Sequence, residues 1–148
     1  MTDRIIVATF NDTNAAYDAA SAIKSLKGIS DFKLKTGVMI KKDNRGNVSV
    51  LESKDRAPIG TAVGTMSGAL IGLIAGAPGA ALGAALGATT GLGSDAIMAG
   101  LDSDFVESVT TDMMPGMTAI IAEVNEGSTV PVDNIVSRVG GHVFRQGA

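Results

Sequence analysis

The residues able to do chemistry are few, and their spacing limits what that chemistry can be. His142 is the only histidine and there is no cysteine. Thiolate nucleophiles, sulfur-ligated metals and disulfides are therefore excluded. A metal centre or a Ser-His-Asp constellation would require the fold to carry distant partners to His142, because only Gly140-Gly141 stands beside it. The ordinary reading is an exposed histidine on an edge strand. Asp102 and Asp104 form an Asp-x-Asp pair that suits a cation, but just before a helical segment such a pair reads more simply as N-cap and dipole stabilisation.

The remaining patterns resolve the same way. The Gly-x-x-x-Gly spacing superficially matches a phosphate loop, yet Gly60-Thr61-Ala62-Val63-Gly64 has no Gly-Lys-Ser/Thr after it to meet a phosphate. Met113, Met114 and Met117 flank Pro115-Gly116 and read as core filling rather than as metal or haem ligands. Lys33, Lys35, Lys41, Lys42 and Arg45 line one hairpin, either as a solvated face or as a surface for anionic lipid heads. No catalytic, metal-binding or cofactor-binding residue is assigned, no cofactor is expected, and the chain is expected not to be an enzyme.

The strongest pattern is made by glycine. Gly60, Gly64, Gly68, Gly72 and Gly76 recur every fourth residue, Pro78 interrupts, and Gly79, Gly83, Gly87 and Gly91 resume the spacing. On a helix this spacing forms one stripe, along which a second helix approaches to backbone distance. Glycine costs roughly 1 kcal/mol per helical site relative to alanine, so only close packing offsets nine of them. The stretch from Ala57 to Ser94 carries no charge. Pro78 divides it into two arms of about 18 residues, or roughly 27 Å of helix each. That length just matches the hydrocarbon core of a bilayer, about 30 Å. Lys54 and Arg56 precede the first arm, as on a cytoplasmic side, whereas Asp95 follows the second. The arms are rich in Ala and Gly and lack a Trp/Tyr belt, so burial in a soluble oligomer accounts for the same pattern.

Around this insert stand the elements of an α+β domain. Ile5–Phe10 is an apolar, β-branched run suited to a central strand, and Asn11-Asp12-Thr13 offers an N-cap. Ala16, Ala19, Ala20, Ile23 and Leu26 follow at helical spacing, and Gly28 is placed to end the helix. Phe32, Leu34, Val38 and Ile40 alternate with lysines as a half-buried strand, and Asp43-Asn44-Arg45-Gly46 turns the chain into Val48 and Val50. After the insert, Asp104 with Glu107 resembles a capping box before Phe105, Val106, Val109 and Met113, and Pro115-Gly116 closes that helix. Residues 118–124 read as a second central strand. A helix with Pro131 in its first turn then leads through Gly140-Gly141 to a last edge strand at His142–Arg145.

The expected fold is therefore α+β, a ferredoxin-like (split βαβ) domain with an inserted glycine-zipper helical hairpin and a C-terminal α-β extension. Residues 1–56 and 101–148 form one discontinuous domain, and 57–100 form the inserted hairpin. Charge follows the same division, from +3 over residues 1–56 to −6 over 95–148, with a total of −3. Mean hydropathy is +0.29. The basic excess is too small and too mixed with acids for nucleic-acid binding.

Several short motifs, in order along essentially the whole chain, make it similar to a known family. They are Arg4-Ile5-Ile6-Val7 followed by Asn11-Asp12, the central Gly/Ala hairpin, Leu101-Asp102-Ser103-Asp104-Phe105, Pro115-Gly116-Met117-Thr118-Ala119 and Gly140-Gly141-His142-Val143. The chain resembles the bacterial domain of unknown function 1269 family, catalogued as predicted membrane proteins. That resemblance implies architecture and supplies no activity and no functional residues.

Three functions remain in view. The leading one is a non-enzymatic homo-oligomeric scaffold on the cytoplasmic side of the inner membrane, self-associating through its glycine stripes, touching lipid, with a pore as a special case. The second is a soluble cytoplasmic ring, shell or filament with buried hairpins. The third is a small-ligand-sensing module, by analogy of fold.

Overall fold

The structure, a computed structural model, describes residues 2–28, 31–51, 65–75 and 100–147. In chain order the elements are β1 (Thr2–Phe10), α1 (Thr13–Ser25), β2 (Phe32–Lys42), β3 (Val48–Val50), α2 (Thr65–Ala75), α3 (Ser103–Asp112), β4 (Thr118–Glu126), α4 (Val130–Arg138) and β5 (His142–Gly147). The strands form one sheet in the order β3-β2-β4-β1-β5, with every neighbouring pair antiparallel. The two runs read as central strands are interior neighbours, paired from Thr2 opposite Glu126 to Phe10 opposite Thr118.

α1 joins β1 to β2 across the intervening β4, and α4 joins β4 to β5 across the intervening β1. The C-terminal α-β segment is therefore not an extension but the second crossover of the sheet. A strand apolar on both faces belongs inside a sheet and needs a neighbour on each side for its backbone groups. β5 supplies the second neighbour of β1, from Arg4 opposite Gly147 to Thr9 opposite His142.

Alternation sends the side chains of β1 and β4 to two separate cores. On one face Ile6, Ala8, Phe10, Ile120, Ala122 and Val124 pack with Ala16, Ala19, Ala20 and Ile23 of α1 and with Val132 and Val136 of α4. On the other, Ile5, Val7, Val38, Ile40, Ala119 and Ile121 meet Leu70, Ile71 and Ile74 of α2 and Phe105 and Val109 of α3. The sheet thus lies between two helical layers, the second drawn partly from the range read as an insert. α2 is apolar all round, which suits a helix enclosed by protein, and Leu70 and Ile71 are fully buried. No helix among the described residues is long and apolar enough to cross a membrane.

Local differences from the sequence reading have clear causes. β2 is buried on both faces from Gly37 to Ile40 rather than half-buried, because Val38 and Ile40 enter the core on one face and Met39 the core on the other. A register shift between Leu34 and Thr36 inverts its alternation. Phe32 and Leu34 face α1 while Val38 and Ile40 face α2, so the lysines of the hairpin do not share one face. α1 ends at Ser25 with Leu26 as its C-cap, ahead of Gly28, which closes a short 3₁₀ turn. Asp12 caps α1 as expected, accepting from the Asn14 and Ala15 N–H groups at 2.6 and 3.2 Å.

Candidate functional site

The candidate site builds outward from the first residue of β5. The last turn of α4 closes with the N–H groups of Val139 and Gly141 on the Val136 carbonyl (3.3 and 3.0 Å) and that of Gly140 on the Ser137 carbonyl (3.1 Å). Gly140 takes φ +76, a left-handed conformation that favours glycine. Gly141 is required for a different reason. A Cβ there would stand 2.7 Å from Val136 Cγ1, 2.8 Å from Phe10 Cε1 and 2.8 Å from the Thr9 carbonyl oxygen. Glycine at 141 lets β5 start flat against β1, which sets His142 opposite Thr9.

Asp112, the last residue of α3, reaches this pair from the other helical layer. Thr9 Oγ1 donates to Asp112 Oδ2 at 2.5 Å, and His142 Nδ1 lies 3.1 Å from Oδ1 and 3.3 Å from Oδ2. Thr9 is buried, whereas the His142 side chain is 66% exposed. The carboxylate is thus the middle member of the three. A nucleophilic triad places the imidazole there, between hydroxyl and acid; here the Thr9 hydroxyl spends its proton on Asp112. The arrangement orients a largely exposed imidazole through its Nδ1. Among the described residues no group of three His, Asp or Glu side chains stands close enough to hold a metal ion. Sequence spacing could not show the pair, because Asp112 and His142 meet only once α3 and β5 end at the same side of the sheet.

From His142 the strand and α3 run alongside each other. At the far end the buried Gln146 side chain accepts from the Asp102 N–H (2.6 Å) and donates to the carbonyls of Gly100 (2.7 Å) and Gly147 (3.1 Å). This corrects the capping expectation. α3 begins at Ser103, so the cap residue is Asp102 and not Asp104; its side chain makes no cap bond, and Gln146 holds its backbone instead. Between helix and strand lies an open groove, about 640 Å³ near Asp102 and about 570 Å³ toward Asp112, with Asp104, Ser108 and Phe144 lining both parts.

A family model for proteins of unknown function, DUF1269, matches residues 61–147, more than half of the 148-residue chain. The chain belongs to the DUF1269 family. The matched span takes in α2 and every element of the groove. No curated protein and no solved structure matches this DUF1269 chain.

On the opposite face of β5 the DUF1269 chain gathers a charge cluster around the buried Glu126. Arg145 donates from Nε to Glu126 Oε2 (2.7 Å), from Nη1 to Asp133 Oδ1 (2.5 Å) and from Nη2 to the Thr129 carbonyl (3.2 Å). Burial works against the Arg145 charge, but the hydrogen bonds and charges of Glu126 and Asp133 outweigh it and raise its pKa. Glu126 is 2% exposed, and Arg4 Nε stands 3.5 Å from the same Oε2. These bonds pin β4, the entry to α4 and β5 together, a structural role.

Of the glycine series in this DUF1269 chain, Gly68 and Gly72 are described, and both are buried within α2. Gly60, Gly64, Gly76, Gly79, Gly83, Gly87, Gly91 and the turn residue Pro78 lie outside the described residues. Of the methionines around Pro115, Met113 is buried and Met117 packs on the core, whereas Met114 is 60% exposed. Lys35 pairs with Asp3 at 3.0 Å.

Proposed function

We propose that this DUF1269 chain is a non-enzymatic scaffold on a ferredoxin-like core that self-associates through its glycine-spaced helices. The two crossovers, each straddling one strand, support the ferredoxin-like reading of β1-α1-β2 and β4-α4-β5. The observation that carries the proposal is α2. Its Gly68 and Gly72 are buried on a helix whose Leu70, Ile71 and Ile74 pack on the sheet, and glycine at this spacing lets backbones approach. The series continues from Gly76 to Gly91, and an equal stripe there would be offset by packing on a copy of the chain. At His142 the buried Thr9 hydroxyl serves the carboxylate and not the imidazole, which supports the non-enzymatic reading.

Protein, rather than lipid, is the proposed surround, because residues 68–72 are already covered within the chain. The proposed form is a cytoplasmic homo-oligomer. Sedimentation of the full chain without detergent tests it, together with a Gly83→Leu/Gly87→Leu variant. A discrete oligomer that this variant dissociates into a monomer that still unfolds cooperatively is expected. A monomer at all concentrations overturns self-association. Carbonate-resistant pelleting with membranes overturns the soluble form. Gly68→Leu is unsuited to the test, since it would disturb the chain's own core.

A further inference from the structure

The outer edge of β5 and the groove beside it carry an inference independent of self-association. β5 is the last strand on its side, and its outer edge has no partner strand among the described residues. Such an edge presents a row of free N–H and C=O groups that can accept another strand. α3 runs beside it and is fastened at both ends, by Gln146 to the Asp102 N–H (2.6 Å) and by Asp112 to His142 Nδ1 (3.1 Å). The channel between them follows β5, about 20 Å long at roughly 3.3 Å per residue. Phe144 lines it along its length.

Charge decides the occupant. The α3 wall offers Asp104 and Glu107 to the groove, beside an Asp112 already engaged by Thr9 and His142, and the nearby Arg145 is spent on Glu126 and Asp133 across the sheet. Pairing β5 with β5 of a second copy would bring two such acidic walls together, which like charges oppose. We propose that the β5 edge and the α3 wall bind an extended segment of another protein carrying Lys or Arg at alternate positions, added as a sixth strand. Alternation places every second side chain toward α3, where a basic residue meets Asp104 or Glu107, and main-chain bonds to β5 hold the register.

The test uses the full chain and a fluorescein-labelled decapeptide of alternating Lys and Val. Two variations separate strand addition from surface attraction: the same peptide N-methylated at alternate residues, and the Asp104→Lys/Glu107→Lys protein, both of whose sites are exposed. Losing two main-chain bonds should weaken binding by on the order of tenfold or more, and reversing the wall charges should do the same. Amide shifts should change first at residues 142–147. The proposal fails if the peptide does not bind, if the N-methylated peptide binds equally well, or if shifts fall away from β5. It also fails if the β5 amides become protected with protein concentration alone, which would make a second copy the occupant. The N-methylated arm uses unaltered protein, so the outcome stands even where the double variant folds poorly.

Discussion

Ile71→Ala measures whether α2 belongs to the sheet's own core or stands apart from it. Ile71 is fully buried in the cluster that contains Ile5, Val7, Ile40 and Ile121. The substitution removes three buried carbons, which at about 0.8 kcal/mol each is about 2.4 kcal/mol of transfer free energy. Incomplete collapse of the cavity adds to this, within the range of about 2–5 kcal/mol observed for such truncations. A loss of about 3 kcal/mol is the central expectation, a large fraction of a domain stability of about 5–15 kcal/mol. For a chain of this size it lowers the melting temperature by roughly 6–12 °C.

The assay is urea unfolding followed by the fluorescence of Tyr17, the only tyrosine in a chain without tryptophan. Tyr17 packs on the opposite face of the sheet, with α1, so it reports on α2 only if both layers unfold together. Ile121→Ala, on β4 in the same core as Ile71, is the positive control. The reasoning is refuted if Ile121→Ala shifts the Tyr17 transition while Ile71→Ala leaves it within about 0.5 kcal/mol, the scatter expected of changes outside the cooperative unit.

Three further outcomes follow from the same geometry. Arg145→Met leaves Glu126 buried beside Arg4 alone and should cost about 3–5 kcal/mol; adding Glu126→Gln should recover most of it, as read by denaturant midpoints. Gly141→Ala should cost about 1–3 kcal/mol through overpacking against the Thr9 backbone, and the amide resonances of Thr9 and His142 should shift together. Asp43 is held below the ordinary aspartate range first by the Asn47 backbone N–H and further by that of Arg45, and Asp3 by the Asn125 side chain and then by Lys35. Because both folded-state values lie below the unfolded ones, their stabilisation is complete above the ordinary aspartate range and is lost as pH falls through it toward the folded values. Urea midpoints between about pH 5 and pH 2.5 should decline, and less steeply in Asp43→Asn/Asp3→Asn.

What was legible in the sequence was local. The runs at 5–10 and 118–124, the cap at Asp12, the turn at Asp43 and the helix entered through Pro131 all form where their own residues dictate. The unreadable parts depend on pairing. The shift between Leu34 and Thr36 is a property of β2 against β4 and leaves no mark in the alternation of Phe32, Leu34, Val38 and Ile40. α2 shows helical glycine spacing but is apolar all round, so its sequence announces burial without a direction. The same limit hid the site. Asp112 and His142 are each unremarkable, and only the closure of β5 on β1 brings α3 beside the strand.

One linkage follows from the way the chain returns to the sheet after the glycine series. Gln146, 7% exposed, ties Gly100 and Asp102 to the end of β5. α3 begins there, shares a core with α2, and forms one wall of the groove. A segment added along β5 and an assembly made by the glycine series would therefore act on the same helix from two sides. If assembly changes the position of α3, it must change peptide affinity, and by reciprocity the peptide must change the assembly constant by the same factor. Comparing the Lys-Val decapeptide on the native chain and on Gly83→Leu/Gly87→Leu measures that factor. Equal affinities would show that α3 is too firmly held by Gln146 and Asp112 to carry any signal between the two surfaces.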